Sequence, residues 1–135
     1  MNNVEKVFIT GSSGGIGSSI TKKFIDVGYK LILTSSSKEK LSTMKNEYGD
    51  IHNYYHLDLS DLSSITSRMN EISNEHPDIS IVINNAGMTA DSLLLRMKLE
   101  QWQEVINTNL SSNFAIIKSI LPNMIKNKKG KIIGI

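Results

Sequence analysis

Residues 7–17 read VFITGSSGGIG. Val7–Thr10 is a short apolar run of strand type. Gly11, Ser12, Ser13, Gly14, Gly15, Ile16 and Gly17 follow, and from Ile16 apolar residues recur at helical spacing through Ile20, Phe24 and Val27. A strand therefore runs through a glycine turn straight into a helix. A pyrophosphate held on backbone N–H groups at a helix N-terminus needs such a turn, because any Cβ there holds it away. Gly11 permits the tight turn, Gly15 the close approach and Gly17 the packing of helix on strand. Glycine-rich turns also merely connect elements, but here the flanking strand and helix supply the context of a dinucleotide site.

The same unit repeats outward. Runs at Lys30–Thr34, Tyr54–Leu59, Ile79–Asn84 and Lys131–Ile135 are mostly continuous rather than alternating, as in strands covered on both faces. Between them, Leu41, Met44 and Tyr48 keep helical spacing, as do Leu62, Ile65, Met69 and Ile72. A long fourth helix is expected over Leu99–Lys128, kinked near its end at Pro122. Gly28 and Gly49 sit where helices should stop. The order β-α-β-α-β-α-β-α-β predicts an α/β fold in one domain over residues 1–135. It is a Rossmann-type, doubly wound parallel sheet with right-handed crossovers and helices on both faces.

Composition narrows the function classes. The chain has 135 residues, 39% apolar and 21% charged, and a net charge of +2, which is too weak a bias to argue for nucleic acid. It has no cysteine, so disulfides and thiolate metal sites are excluded. MNNVEKVFIT lacks a basic-then-apolar signal pattern and no apolar run nears ~18 residues, so no membrane span is read and a cytoplasmic location is the default. His52, His56 and His76 lack metal-ligand spacing and read as solvent or strand-end residues. Charge is unevenly placed: no acid follows Glu104, whereas Lys118, Lys126, Lys128, Lys129 and Lys131 do.

Dinucleotide sites usually carry an acid at the end of the second strand, ~20 residues past the glycines, to hold the ribose 2′-OH. That place reads Thr34-Ser35-Ser36-Ser37-Lys38. An acid would repel a 2′-phosphate, whereas hydroxyls and a lysine can donate to one, so NADP(H) is the expected cofactor. Ser36 or Ser37 would equally cap the next helix, and the two roles are compatible. The third strand ends in His56-Leu57-Asp58-Leu59, where Asp58 could accept from an adenine amino group or, with Ser60 and Asp61, cap the next helix. The fourth ends in Asn84-Asn85-Ala86-Gly87. Its small residues let a cofactor lie against the backbone, and its amides can tie neighbouring strands.

On these residues the chain resembles the short-chain dehydrogenases/reductases. TGSSGGIG matches their cofactor signature, Asp58-Leu59 their adenine pair and NNAG their central-strand motif. Within that family, Asn84–Phe114 looks most like the 3-oxoacyl-[acyl-carrier-protein] reductases of bacterial fatty-acid synthesis, and Thr89–Lys98 is the most specific piece. The resemblance implies NADP contacts from Gly11 to Gly17, Ser36, Asp58, Leu59, Asn85, Ala86 and Gly87. It implies a catalytic role for Asn109, which in the family helps hold a water of the proton relay. It further implies an acyl-carrier-protein-bound substrate and a homo-oligomer, a tetramer in the family, packed through the helix over 99–128. One departure is Gly14, which stands where many NADP-dependent relatives carry an arginine against the 2′-phosphate. That puts more of the discrimination on Ser35–Lys38.

By its own period the long helix presents Trp102, Val105, Ile106, Leu110, Phe114, Ile116, Ile117, Ile120, Leu121 and Met124 on one broad apolar face, with Asn109 and Asn113 inside it. A buried, unpaired amide costs on the order of 1–3 kcal/mol, so each needs a backbone group, a water or another subunit. Pattern does not choose between a catalytic and a core amide. The width of the face fits either a partner subunit or a further part of the same chain. The lysines that follow complement the helix dipole; the resemblance adds an acidic carrier protein as a second reading.

Reducing a ketone with hydride needs a proton donor and a group that polarises the carbonyl. The resemblance implies a serine that orients the substrate and a Tyr-x-x-x-Lys pair that supplies the acid. Tyr29, Tyr48, Tyr54 and Tyr55 are followed four residues on by Leu33, His52, Asp58 and Leu59, and the serine would fall two positions beyond Ile135. The expectation is therefore the amino-terminal portion of a longer reductase, inactive alone, with Asn109 as its one catalytic group. Alternatives are another short-chain reductase, such as an acetoacetyl-CoA reductase, or a non-catalytic nucleotide-binding protein.

Overall fold

The computed structural model describes residues 5–135. Strands β1 (Lys6–Ile9), β2 (Lys30–Ser35), β3 (Asn53–His56), β4 (Ile79–Asn84) and β5 (Lys131–Gly134) form one sheet in the order β3-β2-β1-β4-β5. Every adjacent pair is parallel. Helices α1 (Gly15–Val27), α2 (Lys38–Tyr48), α3 (Leu62–Glu75), α4 (Leu99–Ile106) and α5 (Ser112–Lys126) make the crossovers. This is the doubly wound α/β fold that the alternation predicts.

The continuous strand runs have a direct cause. Val7, Ile9, Leu31, Leu33, Ile81 and Ile83 pack with Leu41 and Met44 under α1 and α2. The residues between them, Phe8, Ile32 and Val82, pack with Ile65, Met69, Ile116 and Ile120 of α3 and α5. Each such side chain contributes about 1.5–3 kcal/mol by leaving water, so both faces demand apolar residues. From β1 the chain winds outward to β2 and β3, then returns to lay β4 on the other side of β1. The crossovers diverge there, which leaves a crevice at the C-terminal ends of β1 and β4.

Helix ends follow local chemistry. Ser37 caps α2 by accepting the Lys40 N–H, and Asp61 caps α3 by accepting the N–H groups of Ser63 and Ser64. Helices α1 and α2 stop at Gly28 and Gly49, as read from the sequence.

Several expectations are corrected. β3 ends at His56, so Leu57–Leu59 lie in the loop beyond it. The single helix expected over Leu99–Lys128, with a kink at Pro122, is instead interrupted at Asn107–Ser111, which form a π turn between α4 and α5. α5 continues through Pro122 to Lys126. The break between helices therefore lies at Asn107–Ser111, well before the proline. His52 and His76 are buried, at 4% and 8% exposure. His52 Nδ1 accepts the Leu31 N–H at 3.1 Å and so serves as a ladder partner at the start of β2. Of the broad apolar helix face, Ile116, Ile120 and Met124 reach the core, whereas Trp102, Leu110 and Phe114 remain 54%, 64% and 68% exposed. Among the described residues no helix is long and apolar enough to cross a membrane.

Candidate functional site

A cleft of about 700 Å³ opens across the C-terminal ends of β1, β2 and β4. The glycine turn forms its floor, Thr34–Ser37 and Lys40 bound one end, and Leu57–Ser60 form a side. Asn85–Met88 close the other end with Glu104 of α4 and Thr108 of the π turn that follows it.

The floor depends on contacts that only glycine allows. Gly11 has a φ of +62°, and a Cβ there would lie 2.9 Å from Ala86 Cα. A Cβ on Gly17 would lie 1.9 Å from the Gly11 carbonyl oxygen. Gly15 is different, because a Cβ there would meet nothing within 4 Å, and the residue lines the cleft. The protein's own packing does not require glycine at this position. Ser13, Gly14 and Ile16 also line the cleft, but Ser12 does not. Its buried hydroxyl donates to the Thr34 carbonyl at 2.9 Å, fastening the turn to β2. The Ser12 hydroxyl therefore serves the fold, and what this residue offers the turn is its backbone.

Side chains lock the strand ends together. Thr10 Oγ1 accepts the Asn85 N–H at 3.1 Å and the Ala86 N–H at 3.0 Å. Asn85 Nδ2 donates to the carbonyls of Thr10 and Gly11, at 3.3 and 3.1 Å. Thr10 is absent from the site read from sequence, where a threonine closing a strand carries no separate signal. Ala86 and Gly87 line the cleft beside Asn85.

At the opposite wall, Asp58 Oδ1 accepts the Ser60 hydroxyl at 2.7 Å and the Ser60 N–H at 3.0 Å. Those two bonds hold its carboxyl below the usual range. Asp61 caps α3, so Asp58 keeps Oδ2 without a hydrogen-bond partner among the described residues. Leu59 lies beside it on the cleft wall. His56 Nε2 donates to the Ser36 carbonyl at 2.9 Å, which anchors the serine loop. Lys40, and not the Lys38 named from sequence, borders the cleft here.

Asn109 faces an adjoining recess of about 450 Å³, bounded by Asn84–Thr89, Asn109, Asn113 and Ile135. Its Oδ1 accepts the Met88 N–H and its Nδ2 donates to the Met88 carbonyl, both at 2.8 Å. This two-pronged bond clasps the segment after β4 to the helix. Asn113 Nδ2 donates to the Asn109 carbonyl at 3.0 Å within the widened turn. The core-amide reading of Asn109 thus gives way to a backbone clasp at the edge of a recess. Asn84 Oδ1 and Asn113 Oδ1 are buried there without partners. Among the described residues no group of three potential metal ligands occurs.

Comparisons with known proteins agree with this architecture. The family model described as short chain dehydrogenase matches residues 5–135. A 3-oxoacyl-[acyl-carrier-protein] reductase FabG of Buchnera aphidicola subsp. Acyrthosiphon pisum is 41% identical over 98% of this chain and 54% of its own length. The protein of the same name from Escherichia coli K12 is 38% identical over 94% of this chain and 52% of its own. The chain spans about half the length of the curated relatives it matches. Among solved structures, a metagenomic short-chain oxidoreductase in complex with NADP superposes with a TM-score of 0.89 at 29% identity, over 96% of this chain and 61% of that one. Serine dehydrogenase from Escherichia coli gives 0.85 at 31% identity, over 96% and 60%. Since the family match runs from Glu5 through Ile135 and the curated relatives are 38–41% identical over nearly all of the chain, the chain belongs to the short-chain dehydrogenase family.

Proposed function

We propose that residues 1–135 form the cofactor-binding portion of a cytoplasmic, NADPH-dependent 3-oxoacyl-[acyl-carrier-protein] reductase. The observation that carries the reading is Gly15. Gly11 and Gly17 are demanded by contacts within the chain, but Gly15 borders open cleft, so its missing Cβ makes room for something outside the chain. The start of α1 lies there, where unbonded amides suit a pyrophosphate. Asp58 Oδ2 suits an adenine amino group, and the absence of a carboxylate from Ser35 to Ser37 suits a 2′-phosphate. The residues present therefore fit a phosphorylated dinucleotide.

When bound, that cofactor supplies hydride. The chain's own residues bind and orient. The turn from Gly11 to Gly17 would hold the phosphates, Asp58 and Leu59 the adenine, and Asn85, Ala86 and Gly87 the ribose end of the cofactor. Asn109 keeps the Met88 segment in place. The unpaired oxygens of Asn84 and Asn113 in its recess are what a buried water would satisfy. This supports a role for Asn109 in holding a relay water. On this reading the serine, the tyrosine acid and its lysine come from chain beyond Ile135. The substrate and its carrier are taken from the relatives' names, and the exposed Trp102, Leu110 and Phe114 support a homo-oligomer.

Two measurements test the reading. Excitation of Trp102, the sole tryptophan, should give saturable energy transfer to added NADPH; no saturation would overturn the cofactor site. The full-length protein should oxidise NADPH only when a 3-oxoacyl thioester on acyl carrier protein is added. Saturable binding without that turnover would retain the cofactor site and defeat the substrate assignment.

A further inference from the structure

We infer that Lys40 is the specificity-determining cation of this chain, meeting the 2′-phosphate of the adenosine ribose in place of the arginine that Gly14 replaces. The inference rests on the dinucleotide reading of the cleft and adds to it a residue that neither the glycine turn nor the serine run identifies.

Two lysines compete for the role. Residues two apart on a helix point about 200° apart, so of Lys38 and Lys40 at the start of α2 only one can face the cleft. Lys40 borders it, together with Ser13, Gly14, Ser35, Ser36 and Ser37, and Lys38 does not. Lys40 is exposed and forms no ion pair among the described residues. The first turn of a helix is an unfavourable place for a cation, because the N-terminal end of the dipole is positive. Its position therefore adds nothing to the folded state, whereas a phosphate carrying close to two negative charges would reverse that balance.

The surroundings are prepared for an anion. The Ser35 hydroxyl is 3.2 Å from that of Ser13 and accepts the Ser37 N–H at 3.1 Å, which fixes the loop. His56 holds the Ser36 carbonyl from the far side, at 2.9 Å. Asp58 is the carboxylate on the adjoining wall, and Ser60 already occupies its Oδ1. A mobile ammonium, a free serine hydroxyl and no acid at the strand end are the groups that favour a phosphomonoester over a bare ribose.

The test compares NADPH and NADH affinities in Lys40→Met, Lys40→Arg and Lys38→Met, in the intact protein, by equilibrium titration of nucleotide fluorescence. Lys40→Met should weaken NADPH roughly tenfold or more, the size of one lost charge-assisted hydrogen bond, and leave NADH within about twofold. Lys40→Arg should restore the preference, and Lys38→Met should keep the wild-type ratio. Raising salt should weaken NADPH more than NADH in the wild type and equalise the two slopes in Lys40→Met. An unchanged NADPH:NADH ratio in Lys40→Met, or an equal loss for both nucleotides, overturns the assignment. Wild-type protein that binds both nucleotides equally also overturns it while sparing the dinucleotide site; wild-type protein that binds neither defeats the site itself.

Discussion

Gly15 and Gly17 stand two positions apart, yet alanine at each should fail for a different reason. Gly17→Ala drives a methyl into the Gly11 carbonyl, an overpacking that should cost about 1–3 kcal/mol. Urea unfolding should show it as a lower midpoint with an unchanged slope. Gly15→Ala has free space and should unfold at or slightly above the wild-type midpoint while binding NADPH about tenfold more weakly. Equal losses of stability in the two variants would remove the reason for assigning Gly15 to a ligand. The glycine positions were readable because a missing side chain is visible in one dimension. The inward turn of Ser12 was not, since the carbonyl it serves belongs to β2, 22 residues away in sequence.

The element that departs furthest from its sequence pattern is the α4–α5 pair. Apolar residues continue on both sides of Asn107–Ser111, so the one-residue widening of the π turn there leaves no separate mark in the sequence. Within the wider turn, Asn109 engages the Met88 N–H and carbonyl, groups that lie outside the helix. Asn109→Ala leaves both groups unpaired and should cost about 1–3 kcal/mol. Amide exchange at Met88 should quicken along with the loss. If exchange at Met88 stayed at the wild-type rate, the clasp would not exist in solution. An aspartate in its place retains an acceptor for the N–H but sets a second oxygen against the Met88 carbonyl, so it should not rescue. The burial of the histidines was hidden in the same way: His52 Nδ1 and both ring nitrogens of His76 meet partners that only the sheet brings near.

At the scale of the molecule, the far end of the sheet holds a titrating cluster. The Lys6 ammonium lies 3.4 Å from His76 Nδ1, so that nitrogen keeps its lone pair and Nε2 carries the proton, 2.8 Å from the Tyr55 hydroxyl. Tyr55 donates in turn to Glu75, and burial with that carboxylate holds its hydroxyl well above the usual tyrosine value. Lys6 also pairs with Asp78 at 2.9 Å, and Arg68, paired with Glu71, lies over the Tyr55 ring. Burial and Lys6 push the His76 pKa below its ordinary 6.5, and burial does the same at His52. Both histidines gain protons more readily when unfolded. Their contribution is therefore present above pH 6.5 and lost as pH falls through their lowered folded values. The urea midpoint should drop between about pH 7 and pH 5, and His76→Gln should flatten part of that drop. A His76→Gln profile parallel to wild type would mean that this group does not titrate with folding. The exposed helix face gives a second expectation at this scale: Phe114→Glu should lower the oligomeric state of the full-length protein in sedimentation, without shifting NADPH affinity.

Local order was written into the chain in one dimension. Strand runs, helix periods, the glycine turn, the ends at Gly28 and Gly49 and the acid-free serine run all depend on residues a few positions apart, so their physics acts over that range. The family's adenine and central-strand motifs were readable for the same reason. Tertiary contact decided the rest: which lysine borders the cleft, that Ser12 faces inward, that Asn109 clasps Met88 from within a π turn, and that His52 and His76 are buried. Each of these depends on groups that stay apart until the sheet assembles, and a hydrogen bond or a burial cost between distant residues leaves no periodic trace along the sequence.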